Sequence, residues 1–466
     1  MSFLDRAHSV AEPGYNRWLV PPAALAVHLS IGSIYAYSVF NAPLNAHGGW
    51  SLLAIGWIFS IALAVLGASA AIFGKWVERV GPRMTMFTSA VCFCGGFLLA
   101  AVGYYTKQLW LIYLGNGVLG GIGLGLGYIS PVSTLIKWFP DRPGVATGMA
   151  IMGFGGAALV AAPLFVSLMN YYGGGVPAQG IGATFVTMAI AYFIFMMFGV
   201  FTVRVPPPGW KPVGWVPKTT ENRMITTANV DADTAIRTPQ FWLLFAILFL
   251  NVTAGIGVLG QASVMIQEMF SAAAVGERAA VTAAAAGGFV GLLSLFNMGG
   301  RFLWSSLSDK IGRKNTYFTF FALGAVLYFL VPYTGRIGSV ELFVVGFAII
   351  LTMYGGGFAT IPAYLRDLFG TYQVGAIHGR LLLAWSLAAV VGPFLVNFIR
   401  QTQIESGIPP AQAYSTTMYI MAGLLVVGFI CNLMVRPVNP RFHRIPTTDT
   451  EQTPLLPTGT STTSNR

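Results

Sequence analysis

Charge is what this chain has least of. Only 9% of its 466 residues are Asp, Glu, Lys or Arg, where a soluble domain carries about 25%. With 55% of residues hydrophobic, that shortage excludes an ordinary soluble fold and points to a membrane protein. Cysteine is scarce too: Cys92, Cys94 and Cys431 all lie inside apolar runs and offer neither a disulfide framework nor paired zinc ligands. No Asp or Glu falls deep within an apolar run, and Glu268 sits at an outer end, so a carboxylate proton relay is not visible. The phosphate-cradling G-x-x-x-x-G-K-[ST] loop is missing, so ATP is not the evident energy source. Without a nucleophile, base or metal-ligand constellation, the chain reads as neither an enzyme nor a cofactor protein. A cleavable signal peptide is not evident either. Asp5 and Glu12 precede a first apolar run, about 18–40, that is too long for a signal h-region.

What is present is a series of about twelve apolar runs, each near the 20 residues that span a bilayer. They cover approximately 18–40, 52–74, 84–104, 109–137, 144–170, 180–203, 240–269, 279–304, 314–334, 339–364, 374–400 and 414–435. The expected fold is all-α, with twelve transmembrane helices in two six-helix bundles. Residues 1–203 form the first bundle, 204–239 a linker marked by Pro206-Pro207-Pro208, 240–436 the second bundle and 437–466 a Thr- and Pro-rich disordered tail.

The net charge of +11 reads as topology rather than nucleic-acid binding. Lys75, Arg79, Lys137, Arg142, Arg237, Lys310 and Arg313 fall in one set of loops, whereas the other set holds only Lys107, Arg278, Arg336 and, at a helix end, Arg400. The bias places the first set, and with it both termini, in the cytoplasm. The tail contains Glu451-x-x-x-Leu455-Leu456, which in a eukaryotic cell would engage a sorting adaptor for endolysosomal membranes. Its bland reading is chance, with residence in the plasma or bacterial inner membrane.

One charged loop occurs twice: Gly74-x-x-x-Glu78-Arg79-x-Gly81-Pro82-Arg83, and Ser305-x-x-x-Asp309-Lys310-x-Gly312-Arg313-Lys314. Each lies between two apolar runs, as expected of an internally duplicated carrier. Glu78, Arg79, Asp309, Lys310 and Arg313 are therefore the gating candidates. Gly115-x-Gly117-x-x-Gly120 matches the dinucleotide fingerprint but lies inside an apolar helix, where it serves close packing instead. Gly144-x-x-x-Gly148 reads as a second packing face.

Ionisable residues inside a span are costly and default to functional readings. Arg301, in Asn297-Met298-Gly299-Gly300-Arg301, offers a planar fork suited to a carboxylate, and Gly299 and Gly300 would give a small ligand room. The competing reading is a snorkelling side chain. Arg380 reads as snorkelling or loop-paired, and His28 and His378 as hydrogen-bonded packing residues before proton carriers. Tyr35, Tyr128, Tyr354 and Trp385 would complete a pocket only if they converge on Arg301.

The repeated loop, the twelve spans and the 6+6 division resemble the major facilitator superfamily over about 15–440. Asn16-Arg17-Trp18, Tyr128-Ile129-Ser130-Pro131 running on to Lys137-Trp138-Phe139-Pro140-Asp141-Arg142, and the stretch around Arg301 are similar to its oxalate/formate antiporter family. That resemblance implies carboxylate transport by alternating access, with Arg301 as the anion-binding base of helix 8 and Tyr35, Tyr128 and Tyr354 as cavity walls. It also implies a helix 11 lysine where this chain has Trp385, so a small monocarboxylate fits better than oxalate. The sequence leaves open an efflux carrier for hydrophobic compounds, or a non-transporting receptor on the same fold.

Overall fold

The computed structural model describes residues 4–215, 224–259, 261–276 and 280–444. The acidic dileucine at Glu451, Leu455 and Leu456 lies outside the described residues. Twelve long helices follow one another among those described: α1 (Arg17–Gly48), α2 (Ala54–Val80), α3 (Pro82–Tyr105), α4 (Leu109–Trp138), α5 (Pro143–Tyr172), α6 (Pro177–Thr202), α7 (Pro239–Leu259), α8 (Ala283–Ile311), α9 (Arg313–Arg336), α10 (Val340–Phe369), α11 (Val374–Glu405) and α12 (Ser415–Met434). Eleven are long and apolar enough to cross a membrane. The other, α8, matches them at 29 residues while carrying Asn297 and Arg301 inside it. No strand forms among the described residues.

Local chemistry explains where the helices depart from the apolar runs. α1 tightens to a 3-10 turn over Ser33–Phe40 and then runs on as α-helix through Asn41–Gly48, a polar extension beyond the apolar run. α4 opens into a wide turn over Tyr113–Leu119, where Asn116 Nδ2 donates to the Tyr37 hydroxyl at 2.9 Å. The run expected at 240–269 is two helices, α7 and a short Ala262–Met269. Both copies of the charged loop turn on their glycine: Gly81 and Gly312 each have φ of 87°, a backbone shape costly for any residue with a Cβ.

Helices α1 to α6 pack mainly on one another, as do α7 to α12. Between the two groups the main pairings are α2 with α11 and α5 with α8, with smaller contacts from α4 and α10. These seams are closed tightly at the end bearing the repeated loops. A Cβ on Gly74 of α2 would sit 2.8 Å from Ala376 Cα, and one on Gly148 of α5 would lie 3.2 Å from Phe302 Cα. Contact continues to mid-helix, where the Ser386 hydroxyl donates to the Leu63 carbonyl at 2.6 Å and Gly156 abuts Met298. Beyond that point Gly56 on α2 and Gly287, Gly288 and Gly291 on α8 face open space. The two groups therefore meet at the loop end and part toward the other.

Candidate functional site

Arg301 marks the centre of this chain because its environment leaves it incomplete. It is 1% exposed, on the α8 face turned toward α5 and α10. Gly155 and Gly355 admit it: a Cβ would come within 2.8 Å of its Cδ from Gly155 and 3.1 Å of its Cγ from Gly355. Its Nε donates to Asn297 Oδ1 at 3.2 Å and its Nη1 to the Ile151 carbonyl at 3.4 Å, while Nη2 is buried with no hydrogen-bond partner. None of the ion pairs among the described residues includes it. Snorkelling does not describe a guanidinium held in this way.

The rings around it come from both helix groups. The guanidinium carbon lies 5.1 Å from the Phe358 ring centre and 5.9 Å from that of Phe154. Phe154 in turn contacts Tyr35, Tyr128 and Trp385 at 5.2, 5.4 and 5.5 Å between ring centres, and Phe358 contacts Tyr354 at 5.2 Å and Trp385 at 5.0 Å. The structure thus brings Arg301, Tyr35, Tyr128, Tyr354 and Trp385 into one cage. Two residues that stitch it together, Phe154 and Phe358, carried no mark in the sequence. The Tyr128 hydroxyl and the Trp385 indole nitrogen are buried and without partners, while the Tyr35 hydroxyl lies close enough to both Tyr354 and Arg301 to interact with each, in no hydrogen bond of ordinary geometry. One cation and several neutral donors of one buried cage therefore keep hydrogen-bonding capacity that the protein does not fully use. Two cation–π contacts, worth roughly 0.5–2 kcal/mol each, do not offset the several kcal/mol that burying an unpaired cation costs. A bound carboxylate would supply the missing charge and acceptors together.

Other expectations fall differently. Gly299 has open space beside it, but Gly300 packs against the Thr352 backbone of α10, so it serves helix contact rather than ligand access. His28 and His378 are both buried, on α1 and α11. His28 Nδ1 hydrogen-bonds the Ala24 carbonyl at 3.1 Å and the ring also reaches the Tyr128 backbone, while both nitrogens of His378 have no hydrogen-bond partner. Arg380 pairs with Asp233 at 2.6 Å and donates to the Ala232 carbonyl, as loop pairing requires.

The gating candidates separate into two kinds. Glu78 accepts from Lys137 Nζ at 2.6 Å and, across the seam, from the Gly375 amide at 3.1 Å, at the start of α11. Asp309 accepts from the Gly144 and Val145 amides, both at 2.9 Å, at the start of α5. Each acid thus satisfies amides that a helix N-terminus leaves open, where its charge also suits the helix dipole. Arg313 pairs with Asp309 and, at 3.3 Å, with Asp367, all within the second group. Arg79 and Lys310, by contrast, are exposed and enter none of the ion pairs among the described residues. The seam also has a partner glycine pair that sequence reading missed. Gly375 and Gly379 meet Glu78 and Ala70 as Gly144 and Gly148 meet Asp309 and Ser305. The duplication of the loop, matched against its opposite helix, would have revealed it.

The family model described as Major Facilitator Superfamily matches residues 23–393 and 265–463. The oxalate:formate antiporter of Oxalobacter formigenes is 27% identical over 379 residues, covering 81% of this chain and 83% of that protein. Apicoplast pyruvate carrier 1 of Toxoplasma gondii is 24% identical over 437 residues, covering 83% and 76%. Among solved structures, the fucose:proton symporter of E. coli superimposes with a TM-score of 0.65 at 12% identity, covering 90% of this chain and 99% of that one; this likeness concerns the fold.

Proposed function

The chain belongs to the major facilitator superfamily of multi-pass membrane transporters, and on that premise we propose that it carries small monocarboxylate anions by exposing the Arg301 cage alternately to either side. The observation that carries this reading is the buried guanidinium of Arg301, outside every ion pair among the described residues and with an unpartnered Nη2, in a cage that also holds the Tyr35, Tyr128 and Tyr354 hydroxyls. Relatives whose names include oxalate, formate and pyruvate support a carboxylate as cargo. A single cation favours a single charge. Trp385 fills the α11 side of the cage with a ring, so the second carboxylate of oxalate would be buried without a counter-charge.

In the state described, the loop end is shut and the cargo enters from the opposite end. The excess of basic residues in the loop-end connections supports a cytoplasmic location for that end and for both termini. The cycle then alternates the two seams: the Glu78 and Asp309 contacts hold one end closed, and their release opens it. No enzymatic step enters this scheme.

The test is uptake of labelled formate, pyruvate, lactate and oxalate into proteoliposomes, with Arg301→Gln as the control. Monocarboxylate counterflow that Arg301→Gln abolishes, in protein that still purifies as a folded monodisperse species, supports the assignment. Normal transport by Arg301→Gln, or oxalate exchange without monocarboxylate flux, refutes it.

A further inference from the structure

We propose that Asn116 is a positioning residue for the anion site: through Tyr37 it pins the 3-10 stretch of α1, and that stretch holds the Tyr35 hydroxyl beside Arg301. This rests on the carboxylate reading above and adds to it a residue that touches no cargo.

The stretch itself calls for a cause. Eight residues, Ser33–Phe40, wind as 3-10 helix, although runs beyond three or four residues are uncommon because the hydrogen bonds are poorer. Residues three apart eclipse in this winding, and burial follows that period. Ile34, Tyr37 and Phe40 form one buried line, at 5%, 2% and 0% exposure. Phe40 packs on Phe165 of α5 and Phe185 of α6, both at 4.9 Å between ring centres. Tyr35 and Ser38 form the next line, half-buried and exposed, with Ser38 one turn nearer the open end. On an α-helix Ile34, Tyr37 and Phe40 would fan through about 120° and no longer share one face.

Asn116 fastens the middle of the buried line. α4 widens over Tyr113–Leu119, a departure found often at functional sites. Gly115 lies close against Gly96 of α3, and Gly117 against Ile61 of α2, so the wide turn is held on two sides. From it Asn116 Nδ2 donates to the Tyr37 hydroxyl at 2.9 Å. Asn116 is 5% exposed, and its Oδ1 is buried with no hydrogen-bond partner. A buried amide left half-satisfied costs stability, so packing does not account for it; the hydrogen bond it does make goes to Tyr37. Without that bond the stretch is free to rewind as α-helix. Its lower end is fixed, since a Cβ on Gly32 would lie 2.7 Å from Phe154 Cα. Counted from there at about 20° per residue, Tyr35 would turn by roughly 60°. Its hydroxyl would leave Arg301 and Tyr354, which it now reaches, and the site would lose a donor to the bound anion. The same rewinding would turn Ser38 onto the buried line and bring Val39 toward the line that Tyr35 now holds.

The experiment uses the full-length protein in proteoliposomes and has two readouts. In pyruvate counterflow, Tyr35→Phe is expected to raise KM about tenfold, the lower end of what a hydrogen bond to a charged group contributes. Asn116→Ala and Tyr37→Phe should raise KM by a similar factor with turnover little changed, and neither should raise it further when added to Tyr35→Phe. The second readout needs no cargo: alkylation by a membrane-impermeant maleimide of Ser38→Cys and Val39→Cys, each in a background of Cys92→Ala, Cys94→Ala and Cys431→Ala. Ser38→Cys should react faster, and Asn116→Ala should reverse the order. If Asn116→Ala fails to fold, Tyr37→Phe decides both readouts. An unchanged KM in these variants, an equal rise on top of Tyr35→Phe, or an unmoved alkylation order overturns the proposal and leaves the carboxylate assignment standing. Absence of carboxylate counterflow in the wild type overturns the carboxylate reading, while the alkylation order still tests the pin.

Discussion

Replacing Asp309 with Asn is expected to open the loop end. In the closed state the two carboxylate oxygens of Asp309 accept from the Gly144 and Val145 amides across the seam, both at 2.9 Å. The Asn side chain keeps its shape and one acceptor, but loses the second acceptor and the charge. A hydrogen bond to a charged group contributes about 1.5–3 kcal/mol, and the charge at the α5 N-terminus roughly 0.3–1 kcal/mol more. The pairing with Arg313 lies within one helix group, survives in either state and drops out of the difference. The closed state should therefore lose about 2–4 kcal/mol, a shift of roughly 30- to 700-fold toward opening. Spin labels on Ile72 of α2 and Leu307 of α8, both exposed, would report it by pulsed electron resonance as growth of a longer distance. Asp309→Glu, which keeps the charge, should recover part of the short distance. If Asp309→Asn gives the wild-type distance distribution, the helix-capping lock is not what holds this end shut.

Three further outcomes follow from the same contacts. Trp385→Lys places a second cation in the cage; its melting temperature should fall without ligand and recover with oxalate more than with formate in a thermal-shift assay. Gly148→Val drives a side chain into Ser305, overpacking the seam by about 1–3 kcal/mol, and should raise the reactivity of a cysteine placed at the loop-end seam. Asp233, in the linker, is held at about 2 by Lys75 and then by Arg380, both of which it pairs with. Because that carboxyl is depressed, the link is whole above the ordinary carboxylate range and is lost as pH falls through about 2. Lowering pH from 8 to 5 should leave the spin-label distances unmoved. Asp233→Asn, which removes a half-exposed pairing worth at most about 1 kcal/mol, should lengthen them only slightly.

The helices were readable because a bilayer span imposes length and apolarity, and Arg301 because a cation inside a span is expensive wherever it occurs. The doubled loop was readable because its acid, base and glycine stand out against apolar flanks. Phe154 and Phe358 were not. They are two among 34 phenylalanines, and what distinguishes them is contact with helices far away in the chain. The roles within the charged loops were hidden for a similar reason: spacing marks Arg79 and Lys310 as strongly as Glu78 and Asp309, yet only the acids turn toward the opposite helix group. Likewise His28 and His378 read singly as packing residues, and that both rings border Tyr128 is visible only in the fold.

The lock at the loop end is keyed to backbone. Glu78 and Asp309 each grip peptide amides at the head of a helix from the other group, so the receiving helix contributes no side chain that a mutation could delete. Its only obligation is to stay small where the chains touch. Genetic fragility is therefore one-sided. Loss of the lock comes from changing an acid, or from enlarging a glycine such as Gly144 or Gly375, while the other first-turn positions of α5 and α11, buried as Ala146, Val374, Ala376 and Ile377 are, answer to packing rather than to the lock. A suppressor of a broken acid should accordingly arise as a new carboxylate near the same amides, not as a compensating change in the helix they begin.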